Sequence, residues 1–152
     1  MTQRKVPARD LIFQVSDGAA SPTWLGVAAL KQFVLNPGEQ EQATDITTYD
    51  SAGNYEELVM QRGASIKAEG SMHKDHLTGV QDTGQARCET LAAAVAYASQ
   101  GAVRFRYPAD TTWKVWPTAT FRLGDQGGDN NAVTTWSVTI MRSGASTTAA
   151  AP

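Results

Sequence analysis

The stretch Thr112–Leu123, "TWKVWPTATFRL", alternates along its whole length. Trp113, Val115, Pro117, Ala119, Phe121 and Leu123 fall on one side, and Lys114, Trp116, Thr118, Thr120 and Arg122 on the other. A period of two is the mark of a strand with one buried face, because successive side chains point to opposite sides of a sheet. Pro117 has no N–H to give to a ladder, so it predicts an edge or a bulge at that point. The longest ordered signal in the chain is therefore a strand, and the fold is built around sheet.

Moving outward, the same period recurs on both flanks. Val103, Phe105 and Tyr107 alternate with Arg104 and Arg106, and Trp136, Val138 and Ile140 with Thr135, Ser137 and Thr139. Farther upstream, Leu11, Phe13 and Val15 alternate with Ile12 and Gln14. Ala64, Ile66, Ala68, Gly70 and Met72 likewise alternate with Ser65, Lys67, Glu69 and Ser71. One segment breaks the rule. Over residues 83–100, Cys88, Leu91, Val95 and Ala98 form a stripe at helical spacing, with Asp82 or Thr83 as cap and Gly101 as the stop. Its alanines allow a close approach to a sheet. The expected fold is mainly β (α+β), an antiparallel β-sandwich or barrel with one flanking α-helix.

Two irregular regions complete the map. Asn36–Glu57 carries Glu39, Glu41, Asp45, Asp50, Glu56 and Glu57, six of the 15 carboxylates, around a short strand signal in "TDITTY". Residues 143–152, "SGASTTAAAP", are too poor in apolar bulk to order themselves and predict a flexible tail after a single domain over 1–142. A chain of 152 residues suits one domain. Its net charge of −2 provides no electrostatic drive toward nucleic acid or anionic membrane. The lone Cys88 excludes an intrachain disulfide and a cysteine-based zinc cluster. The N-terminus lacks the apolar core of a secretory signal, and no run reaches the ~20 apolar residues of a membrane helix. The expectation is a soluble, unprocessed chain.

Each candidate for chemistry competes with a plainer reading. Gly124–Asn131, "GDQGGDNN", offers Asp125, Asp129, Asn130 and Asn131 as oxygen donors. A phosphate loop would need a following lysine and helix, and a calcium loop of the helix–loop–helix kind would need a glutamate at its twelfth position. Both are missing, and glycines that supply positive φ between two strands account for the run. In "SMHKDH" both histidines, His73 and His76, flank Asp75, but an extended chain turns His76 away from the other two. No serine sits in a nucleophile elbow, Cys88 lies on the apolar helix stripe, and Glu56 and Glu57 are adjacent rather than opposed. No catalytic, cofactor or metal residues are assigned. Arg104, Arg106, Lys114 and Arg122, with Trp116 among them, form a basic face. Three readings arise: single-stranded nucleic acid, a solvated sheet face, or the acidic Asn36–Glu57 segment of a neighbouring copy. The overall acidity and the lack of a second basic cluster argue against the first.

Three stretches taken together, "ATDITTYDSAGNYEELVMQRGASIKAEGSM", "TGVQDTGQARCETLAAA" and "ATFRLGDQGGDNNAVTTWSVTIMRSG", resemble the tail tube (major tail) proteins of long-tailed bacteriophages over roughly residues 10–144. The "VMQRG" lead-in and the closing "WSVTI" strand carry most of the likeness. The resemblance implies a non-enzymatic structural subunit. Such subunits form stacked hexameric rings whose sheets join into a continuous β-barrel lumen, through which viral DNA is ejected into the host without specific binding. It also implies a tape-measure protein, tail-tip and terminator proteins as partners, no membrane, no cofactor, and a place in the virion tail after assembly in the host cytoplasm. The long 36–57 loop is then the segment that reaches an adjacent subunit. With it go Asp45, Asp50, Glu56, Arg104, Arg106, Arg122, Asp125 and Asp129 as subunit or ring contacts.

Long strands with polar outer faces leave open edges, and a barrel closed through identical neighbours removes them. Ser65, Lys67, Glu69 and Ser71, small and mixed in charge, suit a lumen lining that does not hold phosphate. The alternative is a carbohydrate- or peptide-binding β-sandwich that uses Trp116 as a stacking platform, since alternation buries Trp113 and Trp136.

Overall fold

The alternating stretches all become strands in the computed structural model, which describes residues 2–151. Met1 and Pro152, at the outer ends of the two segments expected from sequence, lie outside the described residues. The strands are β1 (Ile12–Ser16), β2 (Trp24–Gly26), β3 (Leu30–Asn36), β4 (Gln42–Asp45), β5 (Glu57–Gln61), β6 (Ser65–Ser71), β7 (Gln100–Arg106), β8 (Thr112–Leu123), β9 (Thr135–Arg142) and β10 (Thr147–Ala150), with helix α1 at Thr83–Ala93. The large sheet runs β2-β1-β7-β8-β9-β6-β3, with β10 joined to β8, and β4-β5 form a separate ribbon. Every pairing is antiparallel.

Strand β8 divides this sheet. Its first part, Thr112–Val115, pairs with β10, and its last part, Ala119–Leu123, with β9. The two halves fold over each other. Phe33 of β3 meets Phe13 of β1 at 5.2 Å and Phe105 of β7 at 5.8 Å, although β3 and β1 stand near opposite ends of the hydrogen-bonded order. Val15, Ile66, Ala68, Val103, Ala119, Trp136, Val138 and Ile140 are fully enclosed between the halves. The result is a sandwich made from one bent sheet, closed at one end by α1.

The bend corrects the reading of β8. Gly101 pairs with Ala119 and Val103 with Trp116, so two steps on β7 span three on β8. That extra residue at Pro117–Thr118 is a bulge, and a bulge resets which side each residue faces. Trp116, Ala119 and Phe121 therefore enter the core, while Trp113 and Val115 take the outer face with Arg104 and Arg106. There Trp113 is buried as expected, but beneath the two arginines rather than in the core. Trp116 is 3% exposed and meets Phe105 edge-on at 5.8 Å, so it is no stacking platform. Lys114 pairs with Phe105 and so belongs to the opposite side from Arg104.

Three other expectations change. The α-helix ends at Ala93 rather than continuing to 100; Ala94 is extended, and Ala96–Ser99 form a 3-10 turn. Val95 and Tyr97 are left exposed. Gly101 is not the helix stop but a strand residue, and a Cβ there would lie 2.5 Å from Leu91 Cδ1. With Leu91 seated in that notch, the chain must leave the helical path to begin β7 at Gln100. Residues 147–150, expected to be mobile, form β10 against β8. All four are exposed, so backbone pairing holds the strand where side-chain burial cannot. The strand signal in "TDITTY" stops at Asp45, within the β4-β5 ribbon.

One glycine is dictated by this packing. A Cβ on Gly70 would lie 2.1 Å from the Ala29 carbonyl oxygen, where β3 bulges past β6 and Ser71 N–H donates to that same oxygen at 3.0 Å. Gly70→Ala is expected to lower stability by about 2–4 kcal/mol through overpacking and loss of that bond. Urea unfolding measures it; a shift under about 0.5 kcal/mol would show that the two strands separate freely.

Candidate assembly surface

The β4-β5 ribbon stands clear of the sandwich, and every residue of its two strands is exposed. A two-stranded ribbon is marginal in water unless its faces are covered. Register puts Thr44 opposite Leu58, with Ile46 on the same face, and Asp45 opposite Glu57 on the other. Met60 lies at a bulge between Val59 and Gln61. Ile46, Leu58 and Met60 are 40%, 53% and 68% exposed, so the ribbon's apolar side chains are uncovered in the single copy.

The tip of the ribbon is nevertheless ordered. Thr48 and Ser51 form a reciprocal capping box around the turn Tyr49–Ser51, and Ala52 takes the left-handed conformation. Ser51 Oγ donates to Glu56 at 2.7 Å, and Tyr55 OH donates to Glu57 at 2.9 Å. The second bond, with the nearby carboxylate charges, raises the Tyr55 phenol above its ordinary range. Thr47 donates to Asp45 and holds its carboxyl below the usual range. Tyr49 projects with its whole surface free.

On the outer face of the β2-β1-β7-β8 half lies a cationic cluster. The guanidinium of Arg104 sits 4.5 Å from the centroid of Trp24 and 4.1 Å from that of Trp113, and Arg106 lies 4.8 Å from Trp113. Arg104 Nε donates to Gln14 at 2.8 Å. Desolvation chiefly, and then the charge of Arg106, lower the Arg104 pKa. Arg106 gives one terminal nitrogen to the carbonyls of Pro108 and Asp110 at 3.0 and 3.3 Å. Trp113 carries both cations, and Trp24 adds a second ring to Arg104 alone.

Among the described residues the ion pairs are Arg9–Asp10, Arg62–Glu41 and Lys67–Glu69. Asp45, Asp50, Glu56, Arg104, Arg106, Arg122, Asp125 and Asp129 make none. These eight charges are not gathered at one point. The ribbon holds the first three, the β7-β8 outer faces the arginines, and the β8-β9 connection the last two. Arg122 pairs in register with Thr139 on the outer face of the other half-sheet. Ser65, Lys67, Glu69 and Ser71 lie on that face too, beside Thr135, Ser137 and Thr139, and Lys67 meets Glu69 at 3.0 Å.

The remaining polar motifs are consumed internally. Asp75 accepts from Leu77 N–H at 2.8 Å and Thr78 N–H at 3.0 Å, and these bonds hold its carboxyl below the usual range. Among the described residues no three of His, Cys, Asp and Glu converge as a metal site. Burial pushes the Cys88 thiol up to about 12, which leaves it unreactive. The glycine-rich connection of residues 124–134 is held at its ends, where Gly124 N–H donates to Ser137 O at 3.0 Å and Thr135 N–H to Gly127 O at 2.9 Å. Glu89, whose carboxylate accepts from Trp136 Nε1 at 3.1 Å and Gln81 at 3.0 Å, reaches it through Gln126 at 3.4 Å.

Sequence reasoning missed two residues that hold these parts in place. One is Glu89 in this role, and the other is Gln85, fully buried in α1. Gln85 Nε2 donates to the carbonyls of Ala28 and Ser71, and its Oε1 accepts from His73 N–H. A glutamine two turns before Leu91, on the face opposite solvent, was the available signal.

No protein-family profile and no curated protein matches the sequence. Solved structures do match its fold. A chain from the tail of an empty gene transfer agent particle with C6 symmetry overlaps with a TM-score of 0.70 at 20% identity, covering 96% of this chain and 100% of that one. A chain of the native gene transfer agent virion gives 0.63 at 18%, covering 96% and 100%. A chain of the sheath–tube complex of an extracellular contractile injection system gives 0.59 at 12%, covering 97% and 93%. The fold of this chain, one antiparallel sheet bent into a sandwich with a single flanking helix, is that of tail and injection-tube proteins.

Proposed function

We propose that the chain, having this fold, is a structural subunit of a bacteriophage tail tube, located in the virion tail after assembly in the host cytoplasm. The observation that carries the reading is the end-to-end overlap with a tail chain of similar length. An unmatched extra domain would have pointed elsewhere. The surface supports it, since a fully exposed ordered ribbon and open sheet edges are association hazards in a free monomer and natural in a polymer.

In this reading six copies form a ring and rings stack, with half-sheets joining edge to edge into a continuous barrel. The outer face of β6, with Ser65, Lys67, Glu69 and Ser71, lines the lumen; its serines and its internal Lys67–Glu69 pair leave little free charge to hold DNA during ejection. The β4-β5 ribbon reaches a neighbour through Asp45, Asp50 and Glu56, and Arg104, Arg106 and Arg122 receive acidic partners. Asp125 and Asp129 meet the next ring. A tape-measure protein fills the channel before ejection, and tip and terminator proteins close the ends. The role is non-enzymatic.

Negative-stain imaging of the purified chain at rising concentration tests it. Rings or tubes with six-fold symmetry are expected, and an averaged map would show which strand faces the channel. Monodisperse monomers at every concentration would overturn the reading.

A further inference from the structure

We propose that Arg104, clamped between Trp24 and Trp113, is a receptor for the Asp50 carboxylate at the ribbon tip of a second copy. The inference rests on the tube reading and names one contact within it.

The receptor is built before any partner arrives. Two indole rings cover the guanidinium of Arg104 at 4.5 and 4.1 Å, and Gln14 takes its Nε–H. The two terminal nitrogens make no hydrogen bond among the described residues. A planar cation fixed in this way presents only its outer edge, the geometry that a carboxylate meets with two parallel bonds. No carboxylate of the same copy pairs with it, and Arg106 on the same indole adds a second positive charge.

Among the ribbon carboxylates that face a neighbour in the tube reading, Asp50 is the one with no partner among the described residues of its own copy. Of the six acidic residues in Asn36–Glu57, five are engaged within their own copy: Glu39 by Asn36, Glu41 by Arg62, Asp45 by Thr47, Glu56 by Ser51 and Glu57 by Tyr55. Asp50 makes no hydrogen bond or ion pair among the described residues. It lies in the turn locked by the Thr48–Ser51 box, beside the fully exposed ring of Tyr49. Both sides are thus ordered in advance and unsatisfied, which lowers the ordering cost of joining them. Tyr49 would add aromatic contact area at the rim of the tryptophan clamp.

A double-mutant cycle on self-association, read by analytical ultracentrifugation below the concentration at which long tubes appear, tests the pairing. Asp50→Asn and Arg104→Gln are each expected to weaken association by about tenfold or more, and the double variant to be no weaker than either single one. Asp50 is exposed at the tip, so its variant keeps the fold. If near-UV circular dichroism shows that Arg104→Gln disturbs the indoles, Arg104→Lys replaces it, keeping the charge but losing the fork. Additive losses, or a loss on Arg104 substitution with none on Asp50→Asn, would overturn the pairing while the tube reading stands. Retention of duplex DNA that depends on Arg104 and not on Asp50 would also overturn it, in favour of a phosphate ligand. A wild-type chain that never associates removes the tube reading, and the pairing with it.

Discussion

A chain in which Gln42–Gln61 is replaced by an Asn-Gly turn is expected to fold normally and to lose assembly. The cut falls at the base of the ribbon, where Gln42 pairs with Gln61 and the Glu41–Arg62 ion pair closes the next step at 3.0 Å. A two-residue Asn-Gly connection suits an antiparallel pair. The removed strands bury no side chain of the sandwich core, so stability should change by no more than about 1 kcal/mol. Association should suffer far more. If Tyr49 and Leu58 act as two anchors worth about 2 kcal/mol each, the concentration needed for rings rises about a thousandfold. Urea unfolding and negative-stain imaging of the same preparation check both halves of the expectation. Tubes of normal diameter from the shortened chain would show that the ribbon is dispensable, and an unfolded product would show that it supports the sandwich.

The second large effect is expected at Gln85. Gln85→Leu keeps the volume and removes every polar contact of a fully buried side chain. The carbonyls of Ala28 and Ser71, accepting at 3.1 and 2.9 Å, and the His73 N–H, donating at 3.1 Å, all lose their partner together. Each unsatisfied group costs about 1–3 kcal/mol, so a loss of about 3–6 kcal/mol is expected. That is a large part of the ~5–15 kcal/mol that holds a domain together. For a chain of this size the midpoint of thermal unfolding should fall by about 10–20 °C. A fall of less than about 3 °C would mean that water replaces the amide. Cys88→Ala, a few residues along the same helix, removes packing without orphaning a polar group and should cost less.

Much of the candidate surface was legible before the fold was known. Charge distribution singled out Asn36–Glu57 and the arginines at 104 and 106, because acidic and basic residues segregate along the chain. Composition could not show that the acidic segment is a paired ribbon with a capped tip. That depends on Thr48, Ser51 and Glu56 meeting across a turn. Nor could it show the tryptophan clamp. Trp24 and Trp113 are far apart in sequence, and they flank Arg104 only because β2 and β8 lie on either side of the β1-β7 pair. The tail strand β10 was hidden for a related reason. Propensity and apolar content describe side chains, whereas Thr147–Ala150 are held by the backbone of β8.

By itself the sequence determined the fold class, the inward faces of β1, β6, β7 and β9, and a helix start at Asp82 or Thr83, because each depends on the spacing of residues a few positions apart. Of those two the structure makes Asp82 the cap, through its bond from Gln85 N–H. Tertiary structure alone decided where alternation changes phase. At Pro117 one extra residue opposite β7 turns Trp113 outward toward Arg104 and Trp116 inward toward Phe105. A period of two predicts which residues share a face only while each strand advances in step with its neighbour. The partner strand, not the sequence of β8, determines where that step is broken.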